Sequence, residues 1–180
     1  MFAIGVAAWA ISGDEAAGTL ELLLANPVGR GRVAAERAGA LVVLLATLTA
    51  VCGAALIAMA PAAGLKDGLS AGRLVAATVA CALLALVHAA IAFAVGAATG
   101  SRPAALATAA AAAVAGFLIQ GLARQVPALR PIRAASPWQW LLDSDPLANG
   151  LGWRAWALPL AVTAVLVILG TIRFEHRDLR

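Results

Sequence analysis

The sequence predicts an all-α fold, a polytopic helical membrane bundle with about four full transmembrane helices, and three observations carry that prediction. Apolar residues make up 63% of the chain and charged residues only 12%, against about 25% charged in an ordinary soluble domain. The thirteen basic and nine acidic residues are spaced so that 38–65, 74–101 and 103–123 hold no charge, and 153–172 holds only Arg154. Soluble helices average about 11 to 12 residues, far short of such stretches, whereas a bilayer crossing needs about 20. The 180 residues read as one transmembrane domain, with spans over 38–61, 74–100, 103–123 and 153–173.

The apolar start, residues 1–12, makes a partial helix, because eleven residues rise only about 16 Å. A secretory signal needs a basic start and a small-residue cleavage site, and neither is present. It reads as the cytoplasmic end of a helix whose beginning is missing. Ser12 then caps a short helix over 13–27, with Asp14 and Glu15 at its positive end and Pro27 ending it. At 100° per residue, Ala16, Ala17, Leu20, Leu23 and Leu24 share one arc and Asp14, Glu15, Gly18, Thr19, Glu21 and Asn26 the other. Leu22 is the exception, an apolar side chain on the polar arc, where it suits a protein partner.

Arg30, Arg32 and Arg37 precede the first span and favour a cytoplasmic location for this segment. Counted over all loops, that orientation places seven basic residues inside and six outside, so the local cluster alone decides. Pro61, Gly64, Lys66-Asp67-Gly68 and Ser70 form the outer turn, and Gly100-Ser101-Arg102-Pro103 a tight inner one. The third span is nearly all alanine from Ala104 to Ala115, and small residues let helices approach closely in lipid, so it is expected in the bundle interior.

Residues 124–152 form an outer interfacial segment with two helix starts, Ser136-Pro137 and Asp145-Pro146, and a stop at Asn149-Gly150. Trp138 and Trp140 read as headgroup-level residues, with Trp153 and Trp156 anchoring the last span at the same depth. A mixed-charge tail from Arg173 ends the chain.

Several function classes are excluded on this pattern. The basic residues are scattered over loops, not gathered on one face, which argues against nucleic acid. Cys52 and Cys81 lie inside spans and read as free thiols packed as small hydrophobes, and no metal spacing is present. No ATP-binding signature, nucleophile elbow or zinc motif occurs, so no catalytic residue and no bound cofactor is assigned. Besides threonines, which can bond their own backbone, His88 and Gln120 are polar side chains within spans. An intramembrane ionisable group is a functional candidate by default; the alternative is a neutral His88 bonded to a neighbouring helix and a Gln120 amide bridging two helices.

The run Asp14-Glu15-Ala16-Ala17-Gly18-Thr19-Leu20-Glu21-Leu22-Leu23-Leu24-Ala25-Asn26-Pro27-Val28-Gly29-Arg30 resembles the membrane (permease) subunits of type 2 ABC exporters. Those carry a cytoplasmic Glu-x-x-Gly-Thr-Leu-Glu-x-Leu-Leu-x-x-Pro-Val-x-Arg segment between their second and third spans. Ser136-Pro137-Trp138, Asp145-Pro146-Leu147-x-Asn149-Gly150 and the ending Arg177-Asp178-Leu179 are similar to the family's outer region and tail. The resemblance implies that 13–27 is a coupling helix docking into a separate ABC ATPase subunit through Glu15, Gly18, Thr19, Glu21, Leu22, Pro27 and Arg30. It also implies a second permease subunit, ATP bound in the partner rather than here, and a multi-pass place in a bacterial cell (inner) membrane. Family members have about six spans, and by that pattern the chain lacks the first and most of the second. The competing readings are a non-functional permease gene fragment and a small carrier or intramembrane enzyme using His88. The latter lacks a Ser, His or Glu companion at helical spacing.

Overall fold

Charge-free stretches become helices because in hydrocarbon every backbone N–H and C=O must be satisfied within the segment. The computed structural model describes residues 1–10, 12–13, 29–62, 70–123, 125–143 and 145–177. Its helices are α1 (Phe2–Trp9), α2 (Arg30–Met59), α3 (Ala71–Thr99), α4 (Arg102–Leu122), α5 (Arg130–Ala134), α6 (Pro137–Leu142), α7 (Pro146–Asn149) and α8 (Trp153–Glu175), with a 3-10 turn at Pro127–Leu129 before α5. No strand occurs among the described residues. Helices α2, α3, α4 and α8 are long and apolar enough to cross a membrane, so the chain is a multi-pass membrane protein.

The first span starts earlier than its uncharged stretch. Helix α2 takes in Arg30, Arg32 and Arg37, because a helix leaving the bilayer meets water, where charged side chains cost nothing; Arg32 Nε donates to Glu36 Oε1 at 2.9 Å, one turn along. Thirty residues make a rod of about 45 Å, longer than a hydrocarbon core of about 30 Å. The turn between α3 and α4 follows the sequence closely. Gly100 closes α3 in the left-handed conformation at φ 68°, and the Ser101 hydroxyl accepts from Ala104 N at 3.4 Å.

The centre of the bundle is α3, not the alanine-rich α4. Helices α1, α2, α4, α6, α7 and α8 all pack on α3, whereas α4 buries only Ala105, Ala109 and Gly116. Alanine allows close approach but offers little area to bury. The longer side chains of Phe93, Val87 and Leu83 gather neighbours around α3. Its tightest contact is with α8, where a Cβ on Gly170 would lie 2.9 Å from Ala94 Cα.

The apolar core has two parts. Towards the basic end, defined by Arg30, Arg102 and Arg177, the small residues of α1 pack with Leu41, Leu45, Phe93, Ala105 and Phe174. Towards the tryptophan end, Ala80 and Leu83 of α3 meet Leu141 and Ala155. Cys52 and Cys81 are free thiols but exposed on the isolated chain. They are not packed among the described helices as the sequence suggested, because both project from faces of α2 and α3 that no described helix covers.

Candidate functional site

At the basic end the chain draws three segments onto the last turn of α3. Ser12, expected to cap the following helix, instead turns its hydroxyl back to donate to the Ala8 carbonyl. A serine at the end of a helix has its own i−4 carbonyl within reach, and that bond competes with capping. The hydroxyl also lies 3.4 Å from where a Cβ on Gly96 would stand, so glycine at that position lets the end of α1 seat on α3.

On the far side of the same turn, Arg177 donates from Nη1 to the Ala97 carbonyl at 3.2 Å. Its guanidinium stands 5.9 Å from the centre of the Phe174 ring, and Phe174 is buried. Arg30, on the first turn of α2, donates to the Arg177 carbonyl at 2.8 Å. A Cβ on Gly31 would run into the Glu175 carboxylate. The carbonyls of a helix's last turn have no intrahelical donor and carry its negative end, so a guanidinium there gains both a bond and a favourable dipole. Ser12-Gly13 and Gly29-Arg30, which flank 14–28 in sequence, are thus held to Gly96 and Ala97, the first directly and the second through Arg177.

Of the residues assigned to docking, Glu15, Gly18, Thr19, Glu21, Leu22 and Pro27 lie outside the described residues, as does the helix expected over 13–27 apart from Gly13. Arg30 lies within them. Lys66-Asp67-Gly68 and the last three residues of the tail also fall outside.

The tryptophan end holds a second constellation, built by the segment between α4 and α8. Trp138 reaches back along α4. Its Nε1 donates to the Ala113 carbonyl at 3.2 Å, and nine residues of α4 separate that carbonyl from Leu122, about 13 Å of helix. Gly116 makes the room, since a Cβ there would sit 2.8 Å from Trp138 Cδ1. Phe117 meets the indole edge-on with centroids 5.4 Å apart. The hairpin therefore re-enters the bundle, burying Leu141 against α3 and α8.

The two expected helix starts are present as Pro137 and Pro146. Neither Ser136 nor Asp145 makes a side-chain capping bond. The Ser136 hydroxyl is buried beside Gly116 and Trp138 with no partner, and Asp145 is held at φ 43°, a left-handed backbone with its side chain turned away from the cap. The short helix α5 had no sequence signal beyond Pro127 and Pro131. It positions Arg133, whose Nε donates to Gln120 Oε1 at 3.0 Å and whose Nη2 lies 3.8 Å from Asp143 Oδ1. Gln120 thus ties α4 to the hairpin.

His88 is 4% exposed, and its Nδ1 lies 2.8 Å from the Leu84 carbonyl of its own helix, not of a neighbour. A helix offers the i−4 carbonyl at no cost in new geometry. No group of three His, Cys, Asp or Glu able to hold a metal occurs among the described residues. Thr47, Thr49 and Thr78 likewise bond their own i−4 carbonyls. Thr163 does not; its hydroxyl is buried without a partner beside a cavity of about 330 Å³ between α2, α3 and α8. A larger apolar groove of about 570 Å³ runs between α2 and α3 up to Trp156, and Val42 and Leu86 line both.

Compared with protein families, residues 1–179 match the model described as ABC-2 family transporter protein. No curated protein and no solved structure matches the chain.

Proposed function

The chain belongs to the ABC-2 transporter family and is a membrane permease component of an ABC transporter; from that premise we propose that it is the translocating half of an exporter whose ATP is hydrolysed in a separate subunit. The ATPase subunit grips 13–27 through Glu15, Gly18, Thr19, Glu21 and Leu22, with Pro27 and Arg30 fixing the exit of that segment. The observation that carries this reading is the convergence of both flanks on one turn of the central helix, Ser12 at Gly96 and Arg30 through Arg177 at Ala97. A force applied between those flanks reaches α3, on which the other spans pack. This is the connection a docking segment needs to move a bundle, since an element can bias a two-state equilibrium only through contacts that differ between the states.

On this reading a second permease subunit, a copy of this chain or a relative, completes the pathway in a bacterial inner membrane. The chain itself carries neither ATPase chemistry nor a cofactor; ATP belongs to the partner.

Affinity co-purification of the tagged protein from native membranes tests the proposal, with ATPase activity assayed for the wild type and Glu15→Arg. Recovery of an ATP-hydrolysing subunit with the wild type and its loss with the variant supports docking at this segment. Recovery with neither removes the coupling reading for this chain, and equal recovery with both moves the docking site elsewhere.

A further inference from the structure

The hairpin between α4 and α8 leaves a cavity of about 530 Å³ on the side facing the start of α8, lined by Gln139, Trp140, Asp143, Trp153, Arg154 and, deeper, Leu158. Its chemistry is divided. Asp143 supplies a carboxylate, two-thirds exposed and only loosely paired with Arg133 at 3.8 Å. Trp140 and Trp153 supply indole faces, and Trp140 is fixed by donating its Nε1 to the Ala134 carbonyl at 2.8 Å. Gln139 also lines the cavity. These groups favour a cation that can also donate hydrogen bonds. Arg154 lines the same cavity, and its guanidinium, 5.4 Å from the Trp153 ring centre, offers donors to an anion, since a stacked guanidinium still presents its N–H edge.

The depth of the cavity narrows the ligand. It opens beside Gly152 and Trp153, at the start of α8, and continues along Ala155 and Leu158, about half a turn and then about one and a half turns into an apolar span. A ligand that fills it has a cation and an anion within a few atoms of each other and an apolar tail directed into hydrocarbon.

We propose that this cavity binds the headgroup of an ammonium-bearing zwitterionic phospholipid, with the ammonium on Asp143 and the indoles of Trp140 and Trp153, the phosphate on Arg154, and the acyl chains beside Leu158. Primary ammonium suits it better than quaternary, because only the former donates a hydrogen bond to the Asp143 carboxylate. The bound lipid then wedges the re-entrant hairpin against α8.

Nanodiscs test this without any assumption about transport. The protein, with whatever subunits co-purify, is placed in discs of phosphatidylethanolamine or of phosphatidylglycerol with identical acyl chains. Lipid retained after delipidation is counted by native mass spectrometry, and the thermal midpoint is measured. The wild type is expected to retain phosphatidylethanolamine selectively and to melt higher in it. Asp143→Asn is expected to hold about tenfold less of that lipid, the loss of one charge-assisted contact, while melting in phosphatidylglycerol as the wild type does. Arg154→Gln should weaken retention of both lipids. Equal retention of the two lipids by the wild type, or an Asp143→Asn midpoint lowered equally in both, overturns the proposal: the first makes the lipid ordinary annular lipid, the second makes Asp143 a structural partner of Arg133.

Discussion

The Arg177 guanidinium donates to the Ala97 carbonyl while the Arg177 carbonyl accepts from Arg30, so one residue of the tail joins the first turn of α2 to the last turn of α3. Its side chain and its backbone have separate partners, and they can be separated by substitution. Arg177→Ala removes the bond to Ala97 and the contact with Phe174 but leaves the carbonyl to Arg30. The expected cost is about 1–2 kcal/mol, since the bond is charge-assisted but only partly buried. Spin labels at Gly29→Cys and Thr99→Cys, with Cys52 and Cys81 replaced by Ala, should give a narrow distance distribution in the parent and a broad one in Arg177→Ala. An unchanged distribution would mean that the tail does not hold the root of α2.

Gly116 and Trp138 form a second pair that substitution can test. A leucine at Gly116 must displace the indole from its bond to Ala113, and overpacking of this kind costs about 1–3 kcal/mol. Trp138→Ala empties the same space. The double variant Gly116→Leu/Trp138→Ala should be more stable than additivity predicts, because the leucine then fills the vacated volume. Additive thermal or denaturant midpoints would show that the indole does not rest on Gly116.

At Gly170 the obstruction is backbone, Ala94 Cα at 2.9 Å, so the neighbour has no rotamer to change. Gly170→Leu should therefore separate α3 from α8 and cost more than Gly116→Leu. Gly170→Ala should fall between it and the wild type. Midpoints in detergent and the yield of intact bundle on size-exclusion chromatography measure the order, and a Gly170→Leu protein as stable as wild type would refute the close approach.

His88 spends its ring nitrogen on its own helix, so His88→Leu trades one local hydrogen bond for the removal of a buried polar ring. The change in stability should stay within about 1 kcal/mol. The ATPase activity of the purified complex should keep the wild-type pH profile in His88→Leu. A profile displaced by His88→Leu would instead favour proton-coupled chemistry at this position.

The uncharged stretches coincide with the four long apolar helices within a few residues, because placing a charge in hydrocarbon is costly. The exception, the eight-residue earlier start of α2, arises where the helix has left the bilayer and that cost has vanished. The residues assigned to docking, Glu15 to Pro27, rest on a motif and, for Leu22, on its place on the polar arc, and they lie outside the described residues. Arg30, the member of that set within them, had a partner no spacing could reveal, a backbone carbonyl 147 positions away.

The sequence by itself determined which segments enter the membrane, where the inner turn at Gly100-Ser101 falls, and that Pro137 and Pro146 begin helices, since each depends on local energetics: hydration of charge, the left-handed freedom of glycine, the fixed φ of proline. Tertiary structure alone decided that α3 rather than the alanine-rich α4 is central, that Trp138 packs on Gly116, and that Ser12 and His88 bond the carbonyl four residues back while Ser136 is left without a partner. In lipid most helix faces are equally apolar, so hydrophobicity cannot choose among neighbours. The choice falls to where two backbones can approach, as Gly170 does Ala94, and to which polar atoms that approach brings within reach.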